Sequence, residues 1–199
     1  MNIKVIGFDA DDTLWLNMTF FEEIEKSYCE LLKDYITEKE LSETLFKTEI
    51  KNMEIYGYGV KSFMLSMIET AINVSNYKVP NEKIEEMIKM GQHLLYRPVE
   101  LLDGVENVLK VLSKKYKLIV ATKGDLVDQE SKLRRSGLEQ YFHHVEIMSD
   151  KNEDNYKSLL KHLDIEPEEF LMVGNSLKSD ILPVVNIGGY GIHVPFHIT

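Results

Sequence analysis

Among its 199 residues the chain has one cysteine, Cys29. A lone thiol cannot close an internal disulfide, so nothing calls for an oxidising compartment, and on a helix Cys29 reads as a small core residue. Long hydrophobic runs are also missing. Asp9 interrupts the chain before an apolar stretch of signal-peptide length can form, and no later segment reaches the roughly 18 apolar residues of a membrane span. A soluble, cytoplasmic protein with no membrane partner is expected. Positive charge is scarce, because the formal net charge is -10, which repels phosphate backbones on average. The nearest approach to a basic patch, Lys132 with Arg134 and Arg135, falls late in an expected helix, where cations suit the macrodipole and a solvated face is the simpler reading. Nucleic acid is therefore not an expected partner. The histidines lack the paired helical spacing of a zinc site, and there is no internal repeat or low-complexity tract.

What is present suits one well-buried core with room for an insert, since 44% of the residues are hydrophobic. Residues 3 to 8 read as a short buried strand that ends in Asp9-Ala10-Asp11-Asp12-Thr13. From about 18 to 97 the pattern is that of four amphipathic helices, with Thr19/Glu22 and Thr37/Glu40 as capping boxes and Pro80-Asn81 opening the fourth. Helices and strands then alternate, the signature of a parallel sheet. Strands are expected at 118–121, 145–148, 170–173 and 190–194, with helices at about 104–115, 126–136, 152–163 and 178–187. The domain division is residues 1–16 with 99–199 as an α/β core and 17–98 as a four-helix cap. An insert placed directly after the acidic strand end would hang over that end of the sheet, like a lid.

Three strand ends carry polar groups where open α/β sheets collect ligands: Asp9, Asp11 and Asp12 at the first, Thr122 and Lys123 at the second, Gly174-Asn175-Ser176 at the fourth. In this order they resemble the four motifs of the haloacid dehalogenase superfamily of aspartate-nucleophile hydrolases. The resemblance implies a Rossmann-like parallel sheet of strand order 5-4-1-2-3 with an all-helical cap inserted after strand 1. It implies Asp9 as nucleophile, Asp11 as general acid and base, Thr122 as a phosphoryl-oxygen ligand and Lys151 as the third motif, with Lys157 the weaker choice. The fourth motif is matched imperfectly, with Asn175 where an Asp is usual and Asp180 nearby. Mg2+ is the implied cofactor, with Asp9, Asp11, Asn175 and Asp180 as candidate ligands. An Asp at position 11 favours phosphomonoester hydrolysis over dehalogenation, so the implied partner is a small phosphorylated metabolite.

The chemistry of the residues points the same way. Phosphoryl transfer needs an in-line nucleophile, a cation and preorganised donors, and a carboxylate can attack without first losing a proton. Two carboxylates about 5 Å apart repel by roughly 3 kcal/mol at an effective dielectric near 20. One ionised and one protonated carboxyl is then favoured, and a divalent cation on Asp9 would decide which is which. A neutral amide at 175 still offers Mg2+ an oxygen, but without the charge. Asp12 reads as a turn residue facing solvent. Trp15, Asn17, Lys123 and Gly124 are placed to touch substrate, and Tyr56-Gly57-Tyr58-Gly59 reads either as a turn with packing aromatics or as a substrate-facing loop. The alternatives are a phosphomutase, a non-catalytic or weakly active binding protein suggested by Asn175, and a phosphorylated receiver domain. A monomer and a homodimer are equally compatible with the chain.

Overall fold

The computed structural model describes residues 2–197. It divides into two compact units, Met1–Met18 with Val99–Thr199, and Thr19–Pro98.

The first unit is built on a five-stranded parallel sheet: β1 (Val5–Phe8), β2 (Lys117–Lys123), β3 (His144–Met148), β4 (Phe170–Gly174) and β5 (Tyr190–His193), in the order β3-β2-β1-β4-β5. This is an α/β Rossmann-like sheet in the expected order. Side chains alternate across it and both faces are buried, as a parallel sheet requires. Val5, Ile119, Ala121, Phe170 and Met172 pack on one side with Tyr156, Leu159, Leu160 and Val184 from α7 (Glu153–Leu163) and α8 (Leu182–Asn186). Ile6, Phe8, Leu118 and Val120 pack on the other side with Leu109 and Leu133 from α5 (Val105–Leu112) and α6 (Leu126–Ser136). Gly7 sits in the middle of β1 because a Cβ there would come 2.7 Å from the Phe170 ring.

The elements follow their local signals. Asp125 caps α6 and Gly137, at φ 73°, ends it in the left-handed conformation. Asn152 caps α7 by accepting from the Asn155 amide. The stretch expected as one helix from 178 to 187 is instead a π-turn, Leu177–Ile181, leading into the short α8. Ser176 opens it, its hydroxyl accepting from the Ser179 amide and its carbonyl from the Asp180 amide.

The second unit is all helical. It contains α2 (Glu38–Tyr56), α3 (Val60–Val74), α4 (Asn81–Tyr96) and nearly all of α1 (Met18–Leu32). Its core includes Phe20, Ile24, Tyr28, Leu41, Leu45, Phe63, Met67, Met87 and Leu94, the apolar stripes of the four helices. Gly91 admits Met64 of α3, whose sulfur would lie 2.6 Å from a Cβ at that position. Thr37 caps α2 as expected, accepting from the Glu40 amide and donating to the Glu40 carboxylate at 2.6 Å. The other expected box fails, because α1 begins at Met18 and Thr19 lies inside it. Asp12 takes over the capping. At φ 60° it turns the chain, and its buried carboxylate accepts from the main-chain amides of Asn17 and Met18. It is a turn residue, as expected, but it faces a helix end and not solvent.

Candidate active site

In the sheet order the chain leaves β1 in opposite directions, toward β2 and β3 on one side and β4 and β5 on the other. The crevice at the carboxyl ends of β1 and β4 is therefore the topological switch point, where open α/β sheets bind ligands. Asp9 follows β1 directly, its amide donating to Val173 O at 2.9 Å. Asn175 follows β4, with His193 Nε2 hydrogen-bonded to its main-chain carbonyl at 2.9 Å. Thr13 links the two, its hydroxyl lying 3.3 Å from Asp9 Oδ2 and 3.5 Å from Asn175 Oδ1.

The deepest part of the site is a buried ionic triad. Lys151 Nζ donates to Asp9 Oδ1 and, at 2.6 Å, to Asp180 Oδ1, and its side chain is 2% exposed. The other Asp180 oxygen accepts from the Ser176 amide at 2.9 Å. Position 174 has to be glycine, because a Cβ there would lie 2.4 Å from the Asp180 carboxylate. Tyr156, fully buried, donates from its hydroxyl to Ser179 O at 3.2 Å. Its burial and the nearby Asp180 and Asp9 keep that hydroxyl protonated far above its ordinary range.

Burial pushes the Asp9 carboxyl up from 3.8 to about 6, against the pull of Lys151 and helped by the Asp180 charge. Burial also opposes the charge on Lys151, but the two carboxylates outweigh it and hold the ammonium above its ordinary value. Asp11 lies in a different setting. Its Oδ1 accepts from Lys132 Nζ at 2.7 Å and Trp15 Nε1 at 2.8 Å, and its Oδ2 from Gln129 Nε2 at 2.8 Å. Burial would raise it, yet the Lys132 charge and these bonds hold the carboxyl below its ordinary value. The two acids are thus set apart, in the reverse of the order that an ionised nucleophile and a protonated acid require.

A family model of haloacid dehalogenase-like hydrolases matches residues 3–188. The chain belongs to that family. It is similar to the glyceraldehyde 3-phosphate phosphatase of Methanothermobacter thermautotrophicus, 28% identical over 99% of this chain and 88% of the relative. It is also similar to the N-acylneuraminate-9-phosphatase of Mus musculus, 25% identical over 94% of this chain and 79% of the relative. Among solved structures, a haloacid dehalogenase-like family hydrolase from Xanthomonas campestris superposes with a TM-score of 0.94 at 37% identity, covering 98% of this chain and 82% of the other. The chain is accordingly a hydrolase, and phosphatases are among its relatives.

For this haloacid dehalogenase-like hydrolase, the structure brings Asp9, Lys151, Asn175 and Asp180 together. Thr122 is buried at the end of β2, two positions past the partner of Phe8, with its hydroxyl 3.2 Å from Lys123 O. Lys123 Nζ donates to Ser179 Oγ at 3.3 Å. Gly124 adopts φ 129°, and a Cβ there would lie 2.9 Å from Gln129 Nε2. Asn17 Oδ1 accepts from Lys132 at 3.4 Å. Trp15, expected to face substrate, is 1% exposed and packs among Leu14, Phe8 and Leu109, because its indole N–H turns inward to Asp11. Tyr56 closes α2 and Tyr58 lies between α2 and α3, both in the helical unit.

The residues fit Mg2+ through a lean ligand set. Among the described residues no three His, Cys, Asp or Glu side chains are arranged to hold a metal ion. The hard oxygens Asp9 Oδ2 and Asn175 Oδ1, however, are engaged among the described residues only by the long contacts to Thr13, and Mg2+ keeps several waters and takes few protein ligands. The carboxylates of Asp11 and Asp180 are committed to other donors, so as ligands they fit poorly.

Lys132 is the residue that sequence reasoning missed. Read as part of a solvated helix end, its side chain is 13% exposed and ion-paired to Asp11, while Arg134 of the same run stays at 58%. Gln129 was missed too. The available signal was spacing, since residues 129 and 132 share a helix face three positions apart and that face turns toward the first motif. No helix among the described residues is long and apolar enough to cross a bilayer.

Proposed function

We propose that the chain is a Mg2+-dependent phosphomonoester hydrolase acting through a phosphoaspartyl intermediate on Asp9. The observation that carries this reading is the setting of the Asp9 carboxylate, with one oxygen held by Lys151 and the other turned toward Thr13 and Asn175. Bound there, Mg2+ would neutralise charge on Asp9 Oδ2 and on the phosphoryl group, lowering the cost of bringing two anions together. It would also favour Asp9 as the ionised partner, while the charge of a phosphoryl group arriving beside Asp11 would favour protonation of that carboxyl, the order the chemistry needs.

In the first step an Asp9 oxygen attacks phosphorus as the ester P–O bond breaks, and a proton passes from the Asp11 carboxyl to the departing alkoxide. In the second, water attacks the acyl phosphate, Asp11 takes the water's proton, and Asp9 is released with inorganic phosphate. Lys151 opposes the effect of burial on Asp9 and is held upright by Asp180. Thr122 offers its hydroxyl to a phosphoryl oxygen, and Lys123 and Gly124 extend that wall of the site. The helical unit inserted between β1 and β2 serves as the cap, with Tyr56 and Tyr58 on its side of substrate choice. The phosphatases among the relatives act on glyceraldehyde 3-phosphate and on an N-acylneuraminate 9-phosphate, which supports a small phosphorylated metabolite as the substrate class.

The test is phosphate release from a panel of small monoesters with and without Mg2+. Turnover that needs Mg2+ and disappears in Asp9→Asn is expected. Activity surviving Asp9→Asn would remove the nucleophile, and an inactive wild type across the panel would remove the phosphatase reading.

A further inference from the structure

Asp11 is held from a helix outside all four motifs. Lys132 and Gln129, one helical turn apart on α6, supply two of the three donors on its carboxylate, one to each oxygen. Gln129 does more than donate. Its amide nitrogen also donates to Lys123 O at 2.9 Å, so one side chain ties the carboxylate after β1 to the loop after β2. The amide orientation is forced, since the opposite one would set Oε1 against both a carboxylate and a carbonyl. That orientation leaves Gln129 Oε1 buried with no hydrogen-bond partner among the described residues, in a residue 4% exposed. Gly124 completes the arrangement, because its missing Cβ is what admits the Gln129 amide. A structural glutamine would be expected to satisfy both ends of its amide. This one leaves its acceptor end orphaned and keeps its donor end on Asp11.

We propose that Gln129 and Lys132 are positioning residues for Asp11, fixing the orientation of its carboxyl for proton transfer with the leaving-group oxygen. The proposal rests on Asp11 being the general acid and base. Neither residue touches the reacting atoms, so their effect should follow the need for a proton. An alkyl leaving group, which departs as a strongly basic alkoxide, needs the acid. A nitrophenolate leaves without it.

The experiment compares glycerol phosphate with p-nitrophenyl phosphate in Lys132→Met, Gln129→Met, Asp11→Asn and the double variant Asp11→Asn/Lys132→Met, with a thermal melt of each. General acid catalysis is worth about 10²–10⁴-fold. Loss of aim should forfeit part of that, roughly 10- to 100-fold in kcat/KM on glycerol phosphate, with only a few-fold loss in kcat/KM on p-nitrophenyl phosphate, because that ratio reports steps up to leaving-group departure and excludes the hydrolysis step both substrates share. Lys132→Arg should recover most of the rate, and the double variant should be no slower than Asp11→Asn alone. Equal losses on both substrates, or a further loss when Lys132→Met is added to Asp11→Asn, would overturn the proposal. If Lys132→Met does not fold, Gln129→Met decides by the same comparison. If Asp11→Asn itself costs both substrates equally, the acid assignment fails, which is a different outcome from a wild-type leaving-group pattern in the α6 variants.

Discussion

Asn175→Asp adds a third carboxyl to the floor of the site, and its cost can be worked from the contacts of Thr13. Asn175 Oδ1 and Asp9 Oδ2 lie 3.5 and 3.3 Å from the same hydroxyl, which with a bent arrangement sets them about 6 Å apart. At an effective dielectric near 20, two charges at that distance repel by roughly 3 kcal/mol, on the order of two pK units. Both carboxyls would then have folded-state values above their unfolded ones, and Asp9 already stands at about 6 against 3.8. A carboxyl raised in this way destabilises only where the unfolded chain is ionised, so the penalty is absent below pH 3.8 and grows as pH rises through 6. Without metal, the variant should match wild type near the acid end and fall up to about 3 kcal/mol below it at pH 8. Mg2+ should reverse the ranking. One more charge in the ligand set should tighten the ion about tenfold, or 1.4 kcal/mol of extra stabilisation in excess Mg2+. Thermal melts at pH 5 and pH 8, with and without Mg2+, read all four quantities. A variant that melts like wild type without metal and gains no more from Mg2+ would show that position 175 does not face the cation, and the metal assignment would fall with it.

Three further outcomes follow from named contacts. Gly174→Ala places a methyl 2.4 Å from the Asp180 carboxylate and should cost about 3 kcal/mol in denaturant unfolding together with most of the phosphate release; wild-type behaviour would mean that the triad tolerates displacement of Asp180. Lys151→Met leaves Asp9 and Asp180 buried without their cation, a loss of about 3–5 kcal/mol at pH 8. The loss should shrink at pH 5, where the raised Asp9 is protonated, and equal losses at both values would contradict the triad. In the helical unit, burial and then the neighbouring Glu25 push Glu49 up from 4.5 to about 7. Its penalty is therefore absent below pH 4.5 and complete above 7, so Glu49→Gln should gain about 1 kcal/mol at pH 8 after allowance for solvent screening and nothing at pH 4.5. A gain independent of pH would assign the effect to something other than the charge.

The sheet was legible because each buried strand is a short apolar run ending in a polar turn, and helix limits such as Leu126–Ser136 were legible because Asp125 and Gly137 punctuate them. The grouping of Asp9, Lys151 and Asp180 followed from motif order. What sequence could not give was side-chain direction. Trp15 follows the acidic turn directly, but only the folded chain shows its indole pointing into the core. Lys132 has the same charge as Arg134, and helical phase alone separates the buried cation from the solvated one. Thr19 met the letter pattern of a cap, but tertiary contact gave the task to Asp12, six residues before Met18. The π-turn escaped because it depends on Asp180 reaching back to the Ser176 amide, a bond with no compositional trace.

Trp15 is the only tryptophan in the chain, and its indole N–H is bonded to Asp11. The protein therefore carries its own optical reporter on Asp11. Because the ring is buried, its emission is shielded from bulk solvent and responds to what its one polar atom touches. Any ligand, ion or substitution that turns the Asp11 carboxyl should be readable in the native, unlabelled chain, on the timescale of a stopped-flow mixing experiment.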